Sequence, residues 1–194
     1  RNYSEKGERQ GGGGLDMAEM MKLIQLREKF RPTAYHNPEV RTDANGRATV
    51  RFTLPDNLTA FKVMATAHTK NSLFGAGDKR FKVNKNLMLT PALPPFLRIG
   101  DTIQMGVLAH NRTQADGDAM VQTDVEGVDL TSADAQDIAI PKEDKQEILF
   151  TYSAKEERDA TFVFRGKMGE ETDGVKVTIP VLLHRLPLTT ALSG

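Results

Sequence analysis

The chain has 194 residues, with 26 Lys plus Arg against 26 Asp plus Glu, so its formal net charge is zero. No excess positive potential exists to draw it to nucleic acid or anionic lipid, and no apolar run reaches the roughly 20 residues needed to cross a bilayer. With no cysteine, the sequence excludes disulfides, Cys-ligated zinc and a thiol nucleophile within these residues.

Residues 1–14 carry almost nothing to bury and end in Gly11 to Gly14, which reads as a flexible segment. Arg1, Lys6 and Arg9 are its candidate cleavage points for a trypsin-like protease. Residue 1 is an Arg and not the start of a signal peptide, so the chain reads as a fragment of something longer.

Residues 15–29 predict an amphipathic helix. Asp16 stands three before Glu19 in a capping-box pattern, and Met17, Met20, Met21, Leu23, Ile24 and Leu26 make a broad apolar stripe. That stripe fits docking on a neighbouring sheet, or a Met-rich groove for a partner.

From Asn45-Gly46 the apolar period becomes two. Ala48, Val50, Phe52 and Leu54 predict one strand, and Pro55-Asp56-Asn57 the turn that ends it. Phe61, Val63, Ala65 and Ala67 predict a second, and a third ends in Phe81 and Val83 behind a turn at Gly75-Ala76-Gly77. One sheet with one apolar face needs a cover, supplied by the helix or by strands elsewhere in a longer protein.

A second series starts at Leu87 and Leu89, crosses the rigid Pro91 to Pro95 connection, and continues with Ile103, Met105, Val107 and Ala109 facing inward. Further strands are predicted at 119–125, 138–140, 147–152, 160–164 and 175–183, with turns at Gly100-Asp101, Asp116-Gly117, Glu126-Gly127 and Asp173-Gly174. The fold class is therefore all-β: tandem antiparallel β-sandwich modules of fibronectin or Ig type, the first incomplete, behind a flexible Gly-rich segment and a short helix. The expected boundaries are 1–14 for the flexible segment, 15–29 for the helix, 30–85 for a half module, 86–186 for a complete sandwich and 187–194 for a linker.

Signals for chemistry are weak. His36, His68, His110 and His184 lie far apart without metal-ligand spacing, and no calcium-loop run appears. Glu143-Asp144, Glu156-Glu157 and Glu170-Glu171 fall at predicted turns. No catalytic, metal or cofactor site is assigned, and the chain is expected not to be an enzyme. The sequons at Asn2, Asn57 and Asn111 would matter only in a eukaryotic secretory route.

Three blocks are more distinctive: Leu26-Arg27-Glu28-Lys29-Phe30-Arg31-Pro32-Thr33-Ala34-Tyr35, then Val40 to Val50, then Thr53-Leu54-Pro55-Asp56-Asn57-Leu58-Thr59-Ala60-Phe61-Lys62-Val63. In that order they resemble the hallmark block of the alpha-2-macroglobulin family, most of all its bacterial members. Leu89 to Asp101 is similar to the start of the macroglobulin-like domain that follows it. The resemblance implies a segment of a large exported protease inhibitor that traps endopeptidases after cleavage of an exposed bait region. It implies a periplasmic or cell-surface location, target endopeptidases and neighbouring domains of the same chain as partners, and a thioester, where present, outside these residues. It also implies that 1–14 lies at or near the bait, or is a linker beyond it, and that 30–85 is the second half of a domain interrupted by that bait. The reading set against it is an Ig-like module of a surface adhesion or carbohydrate-binding protein.

Overall fold

The computed structural model describes residues 16–183. Arg1, Lys6, Arg9, the glycine run, His184 and the expected linker at 187–194 lie outside them. In chain order the elements are α1 (Met17–Lys22), β1 (Leu26–Arg27), β2 (Ala60–His68), β3 (Phe74–Lys82), β4 (Leu87–Ala92), β5 (Leu97–Arg98) and β6 (Thr102–Asn111). Then follow β7 (Gly117–Glu126), β8 (Asp129–Leu130), β9 (Ala135–Ile140), β10 (Lys145–Ser153), β11 (Asp159–Met168) and β12 (Glu171–Leu182). The chain is all-β, as its alternating apolar pattern requires.

Two sheets face each other. One runs β1-β12-β11-β7-β9, with β5 also on β12; the other runs β4-β6-β10-β8. Every long pairing in them is antiparallel, whereas β1 and β5 lie parallel along β12. The period of two decides what goes inside. On β11 the buried set is Ala160, Phe162, Phe164, Gly166 and Met168, and on β10 it is Ile148, Phe150 and Tyr152. The β10 set shares its layer with Leu87, Leu89, Met105, Val107 and Ala109, and together they meet the β11 set of the opposite layer in one continuous core. The inward face expected for β6 is observed, with Ile103 packed at the core's margin.

Tyr152 is the largest buried polar body. Its hydroxyl lies 2.9 Å from Thr123 Oγ1, and its ring meets Phe162 edge-on at 5.1 Å. Burial pushes its pKa up to about 12, against the smaller opposing effect of the Thr123 hydrogen bond. The phenol therefore stays a neutral hydrogen-bonding group.

Residues before β4 behave differently. β2 and β3 form an isolated hairpin whose side chains are exposed almost throughout, Phe74 at 82%. Phe61 and Phe81 stack on each other at 5.5 Å across the ladder, the first half-buried and the second exposed. The first of the three expected strands, over 47–54, is absent: Arg47 is tied only into the local turn with Asp43, and Phe52 stacks on Tyr35 at 5.0 Å. An alternating pattern makes a strand only where another strand can take its backbone groups. Gly75 to Gly77, read as a turn, lie inside β3; the hairpin turns instead over 69–73, where the Leu73 amide donates to the Thr69 side chain and the Thr69 amide to the Leu73 carbonyl.

The N-terminal helix is also shorter than its pattern. It spans six residues, opens on the Asp16–Glu19 capping box and stops at Leu23. Helix propensity continues past that point, but residues 24–27 gain more by lying along β12, where Leu26 pairs with Gly174 and Arg27 with Val175. Only Met21 of the helix is buried; Met17 and Met20 face outward. The helix leans on β11 and leaves the exposed hairpin uncovered.

Candidate functional site

The described residues hold one fully buried carboxylate, Asp173, at 0% exposure. Its position was misread from sequence: Asp173-Gly174 is not a turn but the third and fourth residues of β12, and the β11–β12 turn is made four residues earlier at Gly169, whose φ is +58°. Asp173 stands two and four residues before Val175 and Val177, which places its side chain on the core-facing side of the strand.

A carboxylate taken out of water is tolerable only when paired and hydrogen-bonded. Asp173 meets that demand with groups from two stretches of the chain far from it, around Arg27 and from Lys85 to Leu89. Arg27 Nε donates to Oδ1 at 2.9 Å and its Nη2 to Oδ2 at 2.6 Å, a two-pronged contact. Lys85 Nζ lies 3.1 Å from Oδ1 and also donates to the Thr172 carbonyl. The Leu89 amide donates to Oδ2 at 2.8 Å, and Arg27 Nη2 reaches back to the Leu89 carbonyl at 2.7 Å. One buried carboxylate thus ties together β1, the connection before β4, β4 itself and β12.

Two neighbours make the fit possible. A Cβ on Gly174 would lie 2.8 Å from Leu26 Cδ2 and 3.1 Å from the Gln25 carbonyl, so the glycine is what lets the strap press on the sheet. Arg27 also stacks over the Phe30 ring at 5.8 Å, at the mouth of a groove of about 310 Å³ lined by Phe30, Leu58, Met88 and Val177.

The strap then changes partner. The Glu28 and Lys29 amides both donate to Asp56 Oδ2, at 3.0 and 2.8 Å, and the Asp56 amide returns a bond to the Lys29 carbonyl. The Arg31 amide donates to Asn57 Oδ1. Residues 24–31 are therefore a splint, one half on the sandwich and one half on the Pro55–Asn57 turn. The backbone bond from Lys29, then that from Glu28, holds the Asp56 carboxyl below the ordinary carboxylate range. A lowered folded-state value means the contact is complete above the ordinary value near 3.8 and is lost as pH falls through the depressed one. We expect the Glu28 and Lys29 amide resonances to titrate with one shared midpoint below 3.8 and to stop titrating in Asp56→Ala. A midpoint at or above the ordinary value would contradict the assignment.

The histidines remain scattered. His36 and His68 are exposed, the latter against Phe74, while half-buried His110 lies 3.3 Å from Thr90 Oγ1. Burial, then Arg112 and Lys145, pushes the His110 pKa down. Among the described residues no group of three or more His, Cys, Asp or Glu is placed to hold a metal. Nor is any helix long and apolar enough to cross a membrane. Asn111 is no glycan acceptor in this fold: it is 1% exposed and its Nδ2 donates to the Ala115 and Ile140 carbonyls.

The described residues thus comprise a two-sheet sandwich, an exposed hairpin and a charged splint. Residues 33–123 match the model of the alpha-2-macroglobulin family. An alpha-2-macroglobulin homolog of Nostoc sp. is 38% identical over 116 residues, 60% of this chain and 6% of that protein. The alpha-2-macroglobulin of Thermotoga maritima is 36% identical over 90 residues, 46% of this chain and 6% of that one. Among solved structures, the native conformation of the E. coli alpha-2-macroglobulin superposes with a TM-score of 0.60 at 19% identity, over 73% of this chain and 9% of that one. The same protein activated by porcine elastase gives 0.64 at 17% identity, over 89% and 16%. Over residues 33–123 the chain is similar to the alpha-2-macroglobulin family, and it spans about 6% of the length of these curated relatives.

Proposed function

We propose that this chain is a structural segment of a bacterial alpha-2-macroglobulin-like protease inhibitor, one that traps an attacking endopeptidase after bait cleavage and a conformational change. The observation that carries the reading is the match of residues 33–123 to the family, in the company of fold neighbours described as trypsin-activated and elastase-activated. In this reading the chain works as scaffold and relay, not as catalyst, and the whole protein is exported to the periplasm or cell surface. Residues 30–85 form part of a module completed by strands elsewhere in the longer protein, which accounts for a hairpin with both faces in water. Residues 1–14 lie at or near the bait.

The test is cleavage of the full-length protein by trypsin at limiting ratio, with the first cut mapped by mass spectrometry. First cleavage after Arg1, Lys6 or Arg9, coincident with a change in compactness, is the expected result. First cleavage well outside residues 1–14 would remove the bait assignment, and cleavage there without any change in compactness would remove the relay.

A further inference from the structure

We propose that residues 21–31 are a releasable latch on the sandwich, and that Lys85 is the partner that holds Asp173 when Arg27 leaves. A permanent clamp on one carboxylate needs one bidentate arginine. Asp173 has that arginine and a second cation beside it, and the two come from different places: Arg27 from the strap, Lys85 from the connection continuous with β4. The second cation is anchored independently of the strap, through the Thr172 carbonyl, and the Leu89 amide is likewise independent of it. Lifting the strap therefore leaves Asp173 with Lys85 and the Leu89 amide, so the open state contains no orphaned buried charge.

The remaining attachment is small and local. It comprises a two-residue parallel ladder, the Met21 side chain, the close approach of Ile24 and Leu26 to Gly174, the Arg27 bond to the Leu89 carbonyl and the exposed Glu28–Lys176 ion pair. None of the twenty buried residues of the sandwich core belongs to the strap. A segment held by few contacts opens without the rest unfolding. Because its other half grips Asp56 and Asn57, opening would also free the hairpin region from its fixed orientation on the sandwich. The latch stands on these contacts alone; that cleavage upstream is what works it rests on the protease-trap reading.

Peroxide oxidation of the 194-residue chain, followed by mass spectrometry, reads the latch directly, since Met21 is buried by the strap's docking while Met105 and Met168 are buried in the sandwich. Arg27→Met should oxidise Met21 about 10-fold faster than wild type while Met105 and Met168 keep their protection. Lys85→Met should leave Met21 protected, because Arg27 still holds the closed state. The double variant should lower the melting temperature by more than the sum of the two single shifts, because each cation substitutes for the other. Met105 and Met168 oxidising together with Met21 in Arg27→Met, or that variant failing to fold, would show the strap to be part of one cooperative unit and overturn the proposal. So would an unchanged Met21 rate, or additive shifts. No protease enters the measurement, so it can fail while the trypsin test succeeds, and the reverse.

Discussion

Replacing Asp173 with Ala should cost about 3–5 kcal/mol of unfolding free energy, among the largest effects of any single change in the chain. The loss is not one salt bridge's worth. Arg27, only 12% exposed, would keep its charge, its two-pronged partner would be gone, and the Leu89 amide inside the core would lose its acceptor. A buried cation without its counter-charge is penalised more heavily than the intact pair is rewarded. Asp173→Asn keeps an acceptor for the Leu89 amide and should retain part of that stability. Urea denaturation followed by circular dichroism separates the two. Equal losses for Ala and Asn would mean that charge alone matters; a loss below about 1 kcal/mol for Ala, typical of an exposed pair, would mean the node is solvated in solution.

Phe162→Ala is the second change expected to cost about 3–5 kcal/mol, here through a cavity. Phe162 is 0% exposed, lies between Val125 and Val177 in the β-ladder and receives the edge of Tyr152. Its removal therefore takes away buried area and also loosens the ring whose hydroxyl meets Thr123. Phe74→Ala is the control, because that ring is 82% exposed and its loss should fall within about ±0.5 kcal/mol. The pair tests where the cooperative core lies. Comparable losses at the two positions would mean that the hairpin is packed in solution against something that the isolated chain lacks a place for.

The same contrast explains what could be read in advance. Alternation located nearly all the long strands of the sandwich, since residues at i and i+2 share a face and only one face of each strand can enter the core. It failed over 47–54, where the pattern is equally clean, because pattern states a preference and pairing needs a partner. It failed again at residues 23–27, where helix-forming residues gave way to a short parallel ladder. The two-residue strands β1, β5 and β8 are too short to carry any periodic signal.

The central carboxylate was hidden by a local rule. Asp-Gly is a common turn pair, and that reading took precedence over a second signal in the same stretch: carrying the face of Ile179, Val177 and Val175 back by two residues lands on Asp173. An acidic residue on an apolar face demands a cation, but nothing in the sequence selects Arg27, 146 residues away, from the other basic side chains.

The sequence by itself determined that the chain is all-β, that the helix of the described residues lies near their start, and that its 26–63 blocks resemble those of the alpha-2-macroglobulin family. Those properties follow from short-range periodicity and residue order, which are local. Tertiary structure alone decided which patterned segments became strands, which Met of the stripe was buried, and which two distant stretches meet at Asp173. Those outcomes depend on which surfaces exclude water together, a property of the folded arrangement and not of any window of sequence.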